Sequence, residues 1–115
     1  MDIFEHVMFV QKVKKEKKQE YINTHVQVWP EVLIAIKESG FEREIVWLFG
    51  DYLCIYMMSK NFDNAWKSLT EKEIFKKWTK EILDPIFTEM QDFSREGRII
   101  RLEKVFDMEE QFNKL

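Results

Sequence analysis

The chain has 115 residues, of which 45% are hydrophobic and 34% charged, and this is the size and balance of one folded domain. Its net charge of -3 weakens the case for a nucleic-acid or anionic-membrane partner, because both attract a basic surface. A single cysteine and two histidines exclude an internal disulfide and a typical structural zinc site, whereas 10 Phe, 4 Trp and 3 Tyr make the chain rich in aromatic residues.

The first part of the chain is predicted to form a strand followed by a long amphipathic helix. Residues 3–13 are apolar with short alternations and rich in β-forming side chains, which indicates a strand. Pro30 lies inside the helical pattern that follows, so we expect a kink or a restart near Trp29. Gly40 is placed to end this helix. Its expected core face consists of residues at spacings of three and four: Ile22, Val26, Trp29, Leu33 and Ile36.

A hairpin is predicted next. Residues 43–49 and residues 52–59 are two apolar, aromatic runs, and Gly50-Asp51 between them is a typical two-residue hairpin turn. A second helical region follows the hairpin, with Asn61 or Asp63 as its N-terminal cap.

The remaining elements complete a recognisable order. The second helical region is expected to break into two helices near Thr70, and a polar loop over residues 88–97 leads to a last strand over residues 99–106. The order β-α-β-β-α-β indicates an α+β, ferredoxin-like fold, with an antiparallel sheet that carries its helices on one face. The other face of the sheet must then line a ligand pocket or pack against a second copy.

We expect one domain over residues 1–115, with a core of about residues 3–107 and an acidic C-terminal tail over residues 108–115 that is frayed or helical. The N-terminus lacks the features of a secretory signal, and no apolar run approaches the ~20 residues of a membrane span. The sequence therefore predicts a cytoplasmic protein with no membrane partner. Cys54, flanked by apolar residues in a strand, is expected to be a buried, inert thiol.

One flank of the first helix carries the strongest candidates for chemistry. Tyr21, His25 and Trp29 are spaced i, i+4, i+8 and stack along one side, and Glu31 can face back across the kink. A half-buried histidine beside a phenol suits proton transfer near neutral pH, because the unperturbed histidine pKa is about 6.5. The alternative is a boundary histidine that only hydrogen-bonds a backbone carbonyl. His6 has no companion ligands, so we expect a solvated or hydrogen-bonded strand residue there.

The tryptophans are candidate walls of a pocket. Trp29 and Trp78 lie on predicted helices and Trp47 lies on the hairpin, and aromatic faces stack well on the C–H faces of sugars or on apolar ligands. Core packing is the alternative for these residues and the preferred interpretation for Trp66. Glu44 precedes the hairpin core, so its carboxylate either reaches a pocket mouth or faces water.

Four segments of the chain form a recognisable set: Tyr21-x-x-x-His25-x-x-x-Trp29-Pro30-Glu31, Ala65-Trp66, Lys77-Trp78 and Leu102-Glu103-Lys104-Val105-Phe106. Together they resemble the L-rhamnose mutarotase family, over about residues 6 to 106. The resemblance implies a homodimeric α/β barrel in which two ferredoxin-like sheets lie face to face. It also implies an isomerase that exchanges the anomers of a free reducing 6-deoxy sugar, with no metal and no cofactor.

The resemblance also implies roles for individual residues. The family's proton-donating histidine corresponds to His25, its helix tyrosine to Tyr21, and the first residue of its tryptophan pair to Trp78. Two positions depart from the family: Glu44 stands where a second sugar-contacting tyrosine is usual, and Thr79 replaces the second tryptophan. Both departures affect substrate contacts more than proton transfer, so L-fucose is an alternative to L-rhamnose.

The hypothesis from the sequence is a sugar 1-epimerase in which His25 exchanges a proton with the ring oxygen or the anomeric hydroxyl. The opposite proton needs a second group, for which Tyr21 or a water is preferred over Glu31 or Glu44. Trp29, Trp47 and Trp78 would hold the sugar. The rivals on the same barrel are a small haem-binding or cofactor-free monooxygenase and a non-catalytic sugar- or metabolite-binding module, since fold alone does not decide function.

Overall fold

A three-stranded antiparallel sheet with helices packed against it forms the domain, in a computed structural model that describes residues 3–88 and 101–115. The strands, in the spatial order β1-β3-β2, are β1 (Glu5–Lys12), β2 (Phe41–Phe49) and β3 (Tyr52–Ser59). The helices are α1 (Lys18–Val26), α2 (Pro30–Glu38), α3 (Phe62–Glu71), α4 (Glu73–Trp78) and α5 (Met108–Phe112). A 3₁₀ turn (Lys15–Lys17) precedes α1, and a π-helical segment (Thr79–Leu83) continues α4.

The predicted hairpin is confirmed. Gly50 has a φ of 61° in the turn between β2 and β3, a left-handed conformation that glycine adopts at little cost. The register that follows pairs Val46 with Ile55 and Trp47 with Cys54. Successive side chains of a strand point to opposite faces, so these two pairs lie on opposite sides of the sheet.

The helices pack against one face of the sheet and leave the other face exposed. The inner face packs on the helices and carries Phe9, Glu44, Val46, Ile55 and Met57. The open face carries His6, Trp47, Phe49, Cys54 and Tyr56. Cys54 is half-buried on the open face, so the prediction of a buried thiol is wrong. The reason is parity: Leu53 and Ile55 point into the core, and the residue between them must point away.

The C-terminal segment lies beside β1. Arg101 forms an antiparallel bridge with Phe9, and the backbone N–H of Leu102 donates to the Met8 carbonyl at 2.8 Å. This position beside β1 completes the strand order of an α+β, ferredoxin-like domain. The described part of the predicted last strand, residues 101–106, makes only this bridge and is not a full strand. Residues 99 and 100, and residues 89–97 of the predicted polar loop, lie outside the described residues.

The predicted restart at Pro30 is confirmed, and the predicted core face is confirmed only for Trp29 and Ile36, which pack against the core. Pro30 is the first residue of α2, where its missing N–H costs nothing. The chain leaves helical geometry between α1 and α2, so one 3.6-residue period does not run through both helices. Val26 is consequently 79% exposed and Leu33 is 53% exposed. The side chains that α1 and α2 bury are instead Tyr21, Val32 and Ala35.

The second helical region follows the prediction closely. Asn61 caps α3, because its Oδ1 accepts a hydrogen bond from the Asn64 N–H at 3.0 Å. The break between α3 and α4 falls at Lys72, two residues after the predicted position at Thr70. In the acidic tail, the Asp107 carboxylate caps α5 by accepting from two backbone N–H groups. In the described ranges, no helix is long and apolar enough to cross a membrane.

Candidate active site

A cavity of about 420 Å³ lies between the helices and the inner face of the sheet. This volume falls within the range of about 300–1,000 Å³ that is usual for small-molecule sites. Phe9, Ile55 and Met57 supply its sheet side, while α1 contributes Tyr21 and His25. The lining is therefore mostly apolar and aromatic, with few polar groups.

His25 is held by its own helix. Its Nδ1 lies 2.8 Å from the Tyr21 carbonyl oxygen, and because a carbonyl can only accept, Nδ1 carries the hydrogen and donates it. The Thr24 hydroxyl donates to the same carbonyl at 2.9 Å and lies 3.0 Å from Nδ1. In the neutral imidazole, Nε2 is then left with its lone pair, and it is the nitrogen available to a ligand.

Burial lowers the pKa of the His25 imidazole, and its hydrogen bond to the Tyr21 carbonyl opposes this only in part. The neutral imidazole is therefore favoured at neutral pH, and its Nε2 carries a lone pair that can accept a proton. The backbone hydrogen bond that the alternative interpretation expected is present, yet it uses only one of the two ring nitrogens.

An aromatic cluster surrounds the imidazole. The Tyr21 ring stacks on it with centroids 3.9 Å apart, and Trp78 meets it edge-on at 5.6 Å. Trp29 in turn packs edge-on against Trp78 at 4.9 Å. Burial, and secondarily the Glu44 charge, raise the pKa of the Tyr21 phenol well above its usual value, so the phenol keeps its proton.

Glu44 is an acidic residue on the inner face of the sheet, at the cavity. It lines the cavity, and solvent reaches its side chain at the rim. Desolvation of the carboxylate at the cavity wall raises the pKa of Glu44 to about 7. The cavity thus holds a carboxyl group, Glu44, that changes protonation state near neutral pH, and an imidazole, His25, whose neutral form is favoured by its lowered pKa.

The structure brings four of the seven predicted site residues to the cavity lining: Tyr21, His25, Glu44 and Trp78. Trp29 lies behind Trp78, with the Lys77 Nζ 5.7 Å from the centre of its ring. Glu31 is exposed on α2 and is not part of the lining. Trp47 is 52% exposed on the open face, away from the cavity.

Other residues line the cavity without having been predicted to do so. Phe87 packs against Tyr21 at 6.1 Å, and Phe75 and Val28 also line the site. Phe87 and Val28 lie outside regular helices, so no periodic pattern pointed to them. Trp66 is buried in the core as expected and also forms part of the wall.

Two further observations concern His6 and the metal-binding residue types. His6 is hydrogen-bonded to the Tyr56 hydroxyl at 2.5 Å on the open face, which confirms a hydrogen-bonded strand histidine. Over residues 3–88 and 101–115, no group of three or more His, Cys, Asp and Glu side chains is arranged to hold a metal ion.

The fold and the site together define a small ferredoxin-like domain with a histidine in an aromatic cavity, and comparison with known proteins gives the family. The L-rhamnose mutarotase family matches residues 6–108 of the chain. The chain therefore belongs to the L-rhamnose mutarotase family, whose members are sugar isomerases.

Individual relatives agree. An L-rhamnose mutarotase from Formosa agariphila is 30% identical over 91% of this chain and 99% of its own length, and one from Bacillus subtilis is 27% identical over 76% of this chain and 82% of its own length. A crystal structure of L-rhamnose mutarotase from Formosa agariphila superposes with a TM-score of 0.72, at 27% identity, over 90% of this chain and 98% of that chain.

Proposed function

We propose that this protein interconverts the α and β pyranose anomers of a free 6-deoxy sugar in the cytoplasm, with L-rhamnose as the preferred substrate. The observation that carries the proposal is the state of His25, whose Nδ1 is tied to the Tyr21 carbonyl while the ring lines an aromatic cavity. The choice of sugar is supported by the relatives, which are L-rhamnose mutarotases.

His25 serves as the proton-transfer group in this proposal. Its Nε2 takes the proton of the anomeric hydroxyl while the bond between C1 and the ring oxygen breaks and a second acid protonates that oxygen, which gives an open-chain aldehyde. The C1–C2 bond then rotates. The ring closes on the other face of the carbonyl as the second group takes back its proton and Nε2 returns the other proton to the carbonyl oxygen. One positioned acid or base contributes about 10²–10⁴-fold, which is substantial for a reaction that already proceeds slowly in water.

The aromatic wall holds the sugar. The Trp78 ring lines the cavity beside the imidazole, where the apolar C–H side of a pyranose and its methyl group can contact it. Glu44 replaces the tyrosine that is usual at its position in the family, and a carboxylate makes different contacts with sugar hydroxyls than a phenol does. This difference favours testing L-fucose, another 6-deoxy sugar, as a second substrate.

The test is the rate of anomeric exchange, measured by saturation-transfer NMR on L-rhamnose, L-fucose and D-glucose with and without protein. We expect clear acceleration with L-rhamnose and little with D-glucose, which lacks the 6-deoxy methyl group. Binding of L-rhamnose without acceleration would contradict the proposal and favour a sugar-binding module instead.

The open face supports a homodimer as the working unit. Trp47 and Phe49 are 52% and 79% exposed in the single chain, and a contiguous apolar sheet face is costly in water. Pairing of two open faces around a two-fold axis would bury them. Sedimentation velocity is expected to show a dimer that Trp47→Glu dissociates, with His25 and its cavity unaltered. A wild-type protein that remains monomeric at all concentrations would contradict this assembly.

A further inference from the structure

We propose that Glu44 is a catalytic residue, namely the second acid/base group that works with His25. This inference rests on the proposed mutarotase activity and names the group that handles the proton opposite to the one His25 takes. It differs from the expectation drawn from the sequence, in which Tyr21 or a water was preferred for that role.

An irregularity in β2 lets Glu44 share the inner face with a core aromatic residue, Phe41. Glu44 pairs with Met57 and Phe41 pairs with Ser59, so both lie on the inner face although they are three positions apart. Residues three apart in a regular strand face opposite sides, and the register shift between Phe41 and Arg43 removes this conflict. The bulge lets the core aromatic Phe41 and the cavity carboxylate Glu44 share one face.

Glu44 and His25 line the same cavity, with Tyr21 close to both. Tyr21 stacks on the imidazole at 3.9 Å, and the Glu44 charge acts on the Tyr21 phenol and raises its pKa. In the described part of the chain, the Glu44 carboxylate has no hydrogen-bond or ion-pair partner, so it is free to engage a ligand.

The charged and titratable side chains that share the cavity lining with this carboxylate are few. Tyr21 and His25 come from α1, Lys37 from α2, and Glu42 and Arg43 from β2. The Lys37 Nζ donates to the Glu42 carbonyl at 3.3 Å rather than to a carboxylate. In the described lining, the side chains contributed by the other elements carry no charge, so desolvation dominates and raises the pKa of Glu44 to about 7.

This pairing balances the protons of the reaction. Protonated Glu44 gives its proton to the ring oxygen as the C1–O bond breaks, while neutral His25 takes the proton of the anomeric hydroxyl. The products are the open-chain aldehyde, a carboxylate and an imidazolium. After rotation about C1–C2, the carboxylate takes the proton of the attacking hydroxyl and the imidazolium returns its proton to the carbonyl oxygen. Both residues recover their starting states, and no other reactant is needed.

Tyr21 is less suited to this role. Burial raises the pKa of its phenol, so the phenolate that proton donation would leave is strongly disfavoured. The structure assigns Tyr21 to positioning instead, since its ring and its carbonyl both hold the imidazole. Glu31 does not line the cavity.

The test compares wild type, Glu44→Gln and Glu44→Asp in anomeric exchange of L-rhamnose from about pH 5 to about pH 9, with the spontaneous rate subtracted. Wild-type exchange is expected to fall above about pH 7 as the Glu44 proton is lost, and to fall at acidic pH as His25 becomes protonated. Glu44→Gln keeps the size of the side chain but cannot transfer a proton. It should slow exchange by about 10²-fold, lose the alkaline fall and change L-rhamnose affinity far less.

Glu44→Asp retains a carboxyl group and is expected to keep the alkaline fall at a reduced rate. The matched control is Glu38→Gln, which removes an exposed carboxylate on α2 outside the cavity and should leave the rate and pH profile unchanged. A folded Glu44→Gln protein with the wild-type rate and profile overturns the inference alone. A wild type that accelerates no sugar overturns the mutarotase proposal and the role of Glu44 with it.

Discussion

Replacing His25 with alanine is expected to slow the catalysed anomeric exchange of L-rhamnose by about 10²–10⁴-fold, the usual contribution of a positioned acid or base. The imidazole is the only nitrogen base in the described lining that is neutral near pH 7, because burial lowers its pKa and its Nδ1 is committed to the Tyr21 carbonyl. Removing it takes away the acceptor for the anomeric proton while Trp78 remains to hold the sugar.

The measurement is saturation-transfer NMR at neutral pH, with thermal unfolding to confirm that the variant is folded. His6→Ala is the matched control, because it removes the other histidine of the chain from the open face and should leave exchange unchanged. Added imidazole is expected to restore part of the lost rate to His25→Ala. A variant that exchanges as fast as wild type would remove the assignment of His25 as the proton-transfer group.

The second large effect is expected on stability. Phe62 is fully buried, with 0% of its surface exposed, at the start of α3. Its ring stacks on Trp66 at 5.8 Å and meets Phe41 edge-on at 5.7 Å. Phe62→Ala deletes this ring and leaves a cavity, which lowers the free energy of unfolding by about 3–5 kcal/mol, a large share of the stability of an ordinary domain.

Urea unfolding followed by tryptophan fluorescence measures this loss as a lower midpoint with an unchanged slope. Phe62→Leu is the control, because it keeps most of the buried apolar volume and should cost far less. If Phe62→Ala unfolds at the same urea concentration as wild type, the aromatic cluster is not the main source of cohesion between α3 and the sheet.

The elements whose signals are local were predictable from the sequence. Gly50-Asp51 predicted the hairpin because a two-residue turn needs a residue with positive φ. Pro30 predicted the start of α2 because proline has no backbone N–H to donate inside a helix. The burial pattern of α1 and α2 was not predictable from one continuous period. The turn between Val26 and Pro30 changes the direction of the chain, so Tyr21 rather than Val26 is buried.

The part of the candidate site that lies on one helix was predictable, because the spacing of residues along a helix determines which side chains lie close together. Tyr21 and His25 are four residues apart on α1, and the structure stacks their rings. Trp47 and Glu44 could not both reach one cavity, since they are three positions apart in a regular part of β2 and face opposite sides. The bulge that brings Phe41 onto the same face as Glu44 depends on pairing with β3, which no local pattern reveals.

The bond between the His25 imidazole and the Tyr21 carbonyl has an evolutionary consequence. The tautomer of the base is set by the backbone of its own helix, since a carbonyl is present whatever side chain occupies position 21. Substitutions at cavity positions that transfer no proton, such as Val28 or Phe87, can therefore alter the choice of sugar without changing which nitrogen accepts the proton. A scaffold of this kind can change its substrates while it keeps the same base.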